Sequence, residues 1–539
     1  MKTIYYSGQV YTGEQMLAQA FVVEDGCFVY VGDNETAQCM FDGDGILVDL
    51  KGHFVCPGFN DSHMHVLGYG KTLNQAILSE HTESLEDVLK CLKDFEGKPE
   101  DSGLWLLGRG WNQDYFSDVK RMPNRYDLDR ISTERPISIT RACGHCLVVN
   151  SKALELLGIT EETPSPEGGV IGMENGVLDG RFYDNAMNLV TNEFPMPTKD
   201  EVKQMLKTAI KKLNSYGVTS CQSDDYSMFW NLPWQTVNEA FLELEEAGEL
   251  TVRIYEQSNL TTVEDLQAFI DAGNVTGEGS NYFKIGPLKM LGDGALGART
   301  AFLTKPYADD ASTCGIPVFT KKQFEDMIGL ANANGMQVAV HAIGDACLDW
   351  VLGAIEKALD ENPRENHRHG IVHCQITRPD QLQKIKDLNL HIYAQTIFLD
   401  YDINIVEARV GKELASTSYS WKTLMKNGVS VSNGSDCPVE LPYVMGGIQC
   451  AVTRKPLKDM EGKLIYLPEE AFTVQEAIDS YTVRSAEGSF EEDIKGKIQK
   501  GMLADFVILE NNPFETDKNH IKDINILATY VGGRKVYEK

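Results

Sequence analysis

Cysteine and histidine are scarce in this chain, basic side chains are outnumbered, and no long apolar run occurs. The 12 cysteines are scattered over 539 residues. That density excludes a disulfide scaffold and fits reduced thiols in a cytoplasm. No apolar stretch reaches the roughly 18 residues that a membrane-crossing helix needs. The opening, Met1–Gly13, lacks the basic segment, apolar core and small-residue cleavage site of a secretory signal. Lys and Arg total 50 against 79 Asp and Glu, a net charge of −29. A field of that sign repels phosphate backbones and argues against nucleic acid or an anionic membrane as partner. Hydrophobic residues at 42% and charged residues at 24% are ordinary for a folded chain, so bulk disorder and collagen-like repeats are excluded.

What is present is an ordered alternation of patterns. Both ends are β-rich: Tyr5–Tyr11, Ala20–Gly26, Cys27–Gly32 and Ile46–Leu50 at the start, Phe506–Leu509 and Ala528–Tyr537 at the finish. Glu24-Asp25-Gly26 between two such runs is a hairpin signal. Two β-rich ends flanking a long middle predict one small sheet domain. In the middle, Thr198-x-x-Glu201, Thr320-x-x-Gln323 and Thr473-x-x-Glu476 have the capping-box pattern that opens helices. Short apolar runs at 54–60, 217–223, 251–257, 283–291, 336–341, 369–373, 390–395 and 429–435 read as strands. Eight strands with helices between them predict an α/β fold closed as a parallel (β/α)8 TIM barrel. The gap at 66–216 is far too long for one helix and predicts an insertion subdomain after strand 1. The expected organisation is a first part of the sheet domain at 1–56, a barrel at 57–487 with an insertion at about 70–200, and a second part of the sheet domain at 488–539. Thr163–Gly169 is expected to be a loop within the insertion.

The positions of the 11 histidines carry the chemistry. His63 and His65 lie two apart in Pro57-Gly58-Phe59-Asn60-Asp61-Ser62-His63-Met64-His65. Two apart on a strand means the same face, so both imidazoles could reach one ion. His341 closes Met336–His341, His373 closes His369–His373, and Asp436 follows Val429–Ser435. Strand C-termini of a parallel barrel meet at one mouth, where active sites are built. Imidazoles and a carboxylate at several such ends predict a metal cluster.

These motifs resemble the amidohydrolase superfamily, and more closely its branch of N-substituted formamide deformylases and YtcJ-like proteins. The Pro-Gly-Phe-x-Asp-x-His-x-His strand, the two later strand-end histidines and Gly434-Ser435-Asp436-Cys437-Pro438 carry the superfamily likeness. Gly108–Gln113, Gly144-His145 with Val149–Leu154, Asp293–Ala301 and Lys500–Phe506 carry the likeness to the branch. The resemblance covers nearly the whole chain. It implies a distorted barrel with a composite β-sandwich from both termini, and one or two divalent metals, most often zinc. Carried over by motif, His63 and His65 bind one ion with Asp436 beside it, His341 and His373 bind a second, and a strand-four lysine carboxylated by CO2 bridges them. Lys284 and Lys289 both lie in Phe283–Leu291 and, five apart, face opposite sides. The mouth favours Lys289, and carboxylation requires its neutral amine. Without the carboxylate adduct, a mononuclear site of His63, His65, His341 and Asp436 remains, with His373 contacting substrate.

The implied activity is hydrolysis of a non-peptide C–N bond (amide, formamide or cyclic amide) in a small molecule. A bound ion lowers the pKa of water toward about 7, and Asp436 serves as general base and then acid. Trp111, Asn112, His145, Asp293, Arg299 and Gln395 are the candidate substrate contacts, with Asp293 and Arg299 able to order the mouth or to pair with each other. Hydrolysis of an ester or lactone, isomerisation, and a non-catalytic ligand-binding barrel are the alternatives. A homodimer is a family-level expectation. Two short motifs are set aside. Cys143-Gly144-His145-Cys146 precedes a strand-like run rather than the helix of a redox site. Gly292-Asp293-Gly294-Ala295-Leu296-Gly297 matches a dinucleotide loop, but a proline at 306 breaks any helix behind it.

Overall fold

A computed structural model describes residues 2–13, 17–41, 43–98, 101, 103–142, 145–458 and 464–539. It divides into two compact units: residues 1–66, 210–227 and 242–539 form the first, and 67–209 with 228–241 the second.

The first unit holds a parallel barrel sheet of eight strands, here β1 Phe59–Met64, β2 Val218–Ser223, β3 Arg253–Asn259, β4 Phe283–Leu291, β5 Val338–Ala342, β6 Gly370–His373, β7 His391–Ala394 and β8 Val431–Asn433. They neighbour one another in sequence order from β1 to β8. Both faces of these strands are covered, so their residues are almost all buried. The seam between β8 and β1 is closed by the chain after β8. The Asp436 N–H donates to the His63 carbonyl (2.8 Å), and the His65 N–H donates to the Cys437 carbonyl (2.8 Å). The Asp61 carboxylate accepts from the Ser435 N–H (3.0 Å) and Oγ (2.6 Å). Gly434 permits this approach, since a Cβ there would lie 2.6 Å from the His63 nitrogen.

The same unit contains the predicted sandwich from both termini. One sheet orders Cys27–Gly32, Ala20–Glu24, Lys2–Tyr6 and Gly45–Asp49. The other orders Arg534–Glu538, Ile526–Val531, Phe506–Leu509, Phe54–Pro57, Gln9–Tyr11 and Leu17–Ala18. Phe54–Pro57 pairs antiparallel with Phe506–Leu509, so residues some 450 positions apart share a ladder. Tyr5, Phe21, Phe28, Phe506 and Tyr530 fill the core, with Phe506 stacked on Tyr530 at 4.4 Å and Tyr5 on Phe21 at 4.7 Å. The predicted strand 54–60 is therefore two strands. Phe54–Pro57 belongs to the sandwich, and the barrel strand starts at Phe59. The chain switches sheets at Gly58, where a Cβ would sit 2.2 Å from Thr219 Oγ1.

The second unit is a six-stranded mixed sheet ordered Gly169–Glu174, Val177–Asp184, Cys146–Val149, Ile137–Arg141, Leu106–Trp111 and Ala76–Ile77. Its two faces follow strand alternation. Cys146 and Val148 join one core with Leu106, Ile139 and helix Leu85–Phe95. Leu147 and Val149 join another with Leu154, Ile171 and Phe182. Residues 164–168 form the expected loop before the first of these strands.

Candidate metal centre

The side chains that gather at the C-terminal ends of the barrel strands come from five of them. His63 is the fifth residue of β1 and fully buried; His65 follows the strand. Lys289 on β4 is also fully buried, His341 lies on β5, His373 ends β6, and Asp436 follows β8. The rings of His63 and His65 lie 5.3 Å apart, those of His63 and His373 5.7 Å, and those of His341 and His373 4.4 Å. One ligand atom each from His63, His373 and Asp436 lie within 4.8 Å of one another.

Every imidazole is held by one nitrogen. His63 Nδ1–H donates to Gln257 Oε1 (2.7 Å), whose amide is oriented by its own Nε2 donating to the Ser62 carbonyl (3.2 Å). His373 Nδ1–H donates to Gln395 Oε1 (2.7 Å), oriented by Nε2 donating to the Tyr393 carbonyl (2.9 Å). His65 Nδ1–H donates to the Asp224 carbonyl (2.7 Å). His341 Nε2–H donates to the Gly294 carbonyl (3.1 Å) and lies 3.3 Å from Asp293. In its neutral form each ring is thereby left one lone-pair nitrogen of fixed identity: Nε2 in the first three, Nδ1 in His341.

Two of those nitrogens converge on Asp436. His65 Nε2 is 3.1 Å from its Oδ1; His63 Nε2 is 3.3 Å away but misaligned, and is a buried polar atom with no hydrogen bond. Burial, reinforced by the Lys289 charge, holds His63 down at about 4, and burial with the neighbouring His341 holds His373 well below the usual imidazole range. Burial opposes a charge on His65 too, but Asp436 and Asp224 outweigh it and raise it to about 9. Asp436 sits well below the usual carboxylate range: burial would raise it, and the close imidazoles, with His65 donating its hydrogen bond, more than offset that. The neutral imidazoles of His63 and His373 beside the ionised Asp436 carboxylate, with the orphaned buried His63 nitrogen, are a donor set that fits a divalent cation. His373 and Asp436 also take positive φ, +74° and +57°. Residues other than glycine rarely do so, and such backbone strain concentrates at functional sites.

Lys289 and Lys284 have separate surroundings. Lys289 Nζ lies 3.3 Å from Asp224 Oδ2 inside the barrel, whereas Lys284 pairs with buried Glu491 at 2.9 Å. Asp224 also accepts from Asn259 (3.1 Å); burial works to raise its pKa, and Lys289, His65 and His63 bring it below the ordinary value. Sequence reasoning missed Asp224 and Gln257. Asp224 follows the end of β2 just as Asp436 follows β8, so the strand-end rule could have found it. A glutamine inside a strand gives no comparable signal.

The remaining candidate residues are placed as follows. Asp293 is buried and accepts the N–H groups of Phe302 (2.8 Å), Ile343 (3.0 Å) and Gly344 (2.8 Å). Arg299 pairs with Asp309 (2.9 Å), not with Asp293. Asp293 thus fixes the β4 and β5 ends to each other; of the two alternatives, ordering the mouth or pairing with Arg299, the pairing is not made. Gln395 commits both amide atoms to His373 and the Tyr393 carbonyl. In the second unit, Trp111 is fully buried and its indole N–H donates to the Ile139 carbonyl (3.2 Å). Asn112 caps the short helix Gln113–Tyr115 and accepts from Arg141 (3.0 Å), and His145 is exposed, 3.0 Å from Asp184. Cys143 and Gly144 of the set-aside cysteine motif lie outside the described residues, and residues 292–297 form a turn with no helix behind it.

An eight-stranded parallel barrel with imidazoles and a carboxylate at its strand ends defines the class of metal-dependent barrel hydrolases. The comparisons then give the family. The chain belongs to the amidohydrolase family, whose model matches residues 47–537. It is 34% identical to YtcJ of Bacillus subtilis (strain 168) over 545 residues, covering 100% of both chains. It is 23% identical to the N-substituted formamide deformylase of Arthrobacter pascens over 532 residues, covering 97% of this chain and 95% of the relative. An uncharacterized metal-dependent hydrolase from Pyrococcus furiosus superposes with a TM-score of 0.78 at 30% identity, covering 96% of this chain and 100% of that one.

Proposed function

We propose that the chain is a metal-dependent hydrolase of non-peptide C–N bonds in small molecules, with an amide, formamide or cyclic amide as substrate. The observation that carries the reading is the pair His63 and His373, each pinned through Nδ1, with a ligand atom of each gathered within 4.8 Å of the ionised Asp436 carboxylate. His63 and His65, with Asp436, hold one divalent ion, and zinc suits nitrogen and oxygen donors. His341 and His373 would hold a second ion where Lys289, released from Asp224, carries a CO2 adduct as a further ligand. As an ammonium, Lys289 instead stays paired with Asp224 and the site holds one ion. A divalent ion bound there supplies Lewis acidity toward a carbonyl oxygen and a water that ionises near neutral pH. Asp436 Oδ1 takes the proton of the attacking water and returns it to the leaving nitrogen. His65, 3.1 Å from Oδ1, sets that carboxylate's orientation and keeps it ionised between turnovers. The likeness to an N-substituted formamide deformylase supports the amide side of this reading.

The test is turnover of a panel of N-substituted formamides, N-acyl amines, cyclic amides, esters and lactones by zinc-loaded protein, with amine release as the readout. Amide cleavage that falls about 10²–10⁴-fold in kcat for Asp436→Asn at saturating metal is expected. Turnover of esters or lactones with no amine release from any amide would overturn the C–N assignment.

A further inference from the structure

The second unit contains a cavity of about 720 Å³ that shares no residue with the metal centre. Its volume is that of a small-molecule site, roughly 300–1,000 Å³. Aromatic and apolar side chains, Trp105, Leu107, Phe194, Met205, Phe229 and Trp230, share its walls with asparagine, glutamine and threonine side chains. Trp105 is buried and meets Phe194 edge-on at 4.9 Å, a rigid wall. Trp230 stands at the cavity with 85% of its surface exposed, a large apolar ring left in water.

The two charges at the cavity are unequal in availability. The Glu201 carboxylate is committed to its own helix start, accepting from the Thr198 N–H (2.7 Å) and Oγ1 (2.9 Å). The Lys71 ammonium spends one N–H on the Met228 carbonyl (3.1 Å) and stands over the Phe229 ring at 4.3 Å. It has no carboxylate partner among the described residues. Two ammonium hydrogens thus remain for a ligand, against an aromatic wall, in a chain whose net charge is −29. Lys71 is held in place by its helix, Val66–Leu73, which lies so close to the Met205 carbonyl that a Cβ on Gly70 would come within 2.3 Å of it.

We propose that this cavity is a binding site for a small apolar-bodied carboxylate, aromatic or of similar bulk. The anionic group pairs with Lys71, and the body lies between the Trp105–Phe194 wall and Trp230. None of these residues belongs to the barrel metal centre.

The test is titration calorimetry on the full-length, metal-loaded protein with 2-naphthoate and its neutral analogue 2-naphthylmethanol. Saturable binding of one naphthoate per chain, tighter than the alcohol, is expected. Lys71→Met should weaken naphthoate about tenfold and remove the preference over the alcohol. Trp230→Ala should weaken both probes several-fold, and both variants should keep the wild-type melting temperature. Absence of saturable binding, or binding unchanged in both variants, would overturn the proposal. Naphthoate binding lost in His63→Asn but kept in Lys71→Met would place the probe in the barrel instead and equally overturn it. So would a dimer in sedimentation that Trp230→Ala dissociates, since a second copy would then occupy this face.

Discussion

The far nitrogens of His63 and His373 both end on glutamine amides, and those amides are themselves locked by backbone carbonyls. Partners of this kind fix the tautomer and aim the ring, and their loss typically costs 10–100-fold in metal affinity. Gln257→Leu and Gln395→Leu are therefore each expected to weaken ion binding by about that factor while preserving the fold. Competition with a chromophoric chelator measures it, and unchanged affinity would mean the rings need no such support. At this scale the sequence was informative about residue types and silent about geometry. Eleven histidines are few enough that strand-end positions stand out. The glutamines, the positive φ of His373 and Asp436 and the partner of Lys289 depend on contacts between strands far apart in the chain.

Elements were legible where local physical chemistry decides them. Thr320 and Thr473 form the reciprocal caps that their spacing predicts, and Thr198 and Glu201 exchange the same bonds. The Glu24-Asp25-Gly26 signal closes a hairpin in which Asp25 and Gly26 both have positive φ (+49° and +78°), as a two-residue turn between twisted strands requires. The first barrel strand was misplaced because Phe54–Phe59 is uniformly apolar, and only the Thr219 contact at Gly58 reveals the switch between sheets. Lys284 shows how an element is anchored. At the start of β4 it pairs with Glu491, which also meets Lys495 at 2.5 Å, and all three lie largely out of water. Burial would raise the Glu491 pKa, but the two ammonium groups outweigh it and hold the carboxyl at about 2. That lies below the ordinary glutamate value near 4.5. The stabilisation is thus fully present above about pH 4.5 and lost as pH falls toward 2, on the order of 3 kcal/mol. Glu491→Gln should lower the urea midpoint at pH 7 and flatten the acid limb relative to the parent. Parallel acid limbs would show that the pair contributes nothing.

For the whole molecule, the sandwich was legible because both ends carry the same β-rich composition. The architecture of the insertion was not, since two-residue strands such as Ala76–Ile77 leave no periodicity to read. Barrel and sandwich share a buried tie. The Arg253 guanidinium at the start of β3 meets the Asp505 carboxylate through two bonds, Nε at 2.7 Å and Nη2 at 2.9 Å. Asp505 in turn accepts the Gly532 N–H at 2.7 Å. Removing one partner of a buried pair leaves the other charge uncompensated, at a cost of about 3–5 kcal/mol. Arg253→Met is expected to lower the unfolding free energy by that amount in a guanidinium melt, and a change below about 1 kcal/mol would show the tie to be incidental. No helix among the described residues is long and apolar enough to cross a membrane.

The most direct measurement is the metal content per chain, by plasma mass spectrometry, of protein expressed with zinc and bicarbonate, beside His63→Asn and His373→Asn. One or two ions per parent chain are expected, with a clear loss in His63→Asn. Two ions with a mass gain of one CO2 would assign the bridged pair through Lys289, and one ion would assign the mononuclear site. A folded parent chain that binds no ion despite that supply, or variants that bind as much as the parent, would contradict a metal centre at these strand ends.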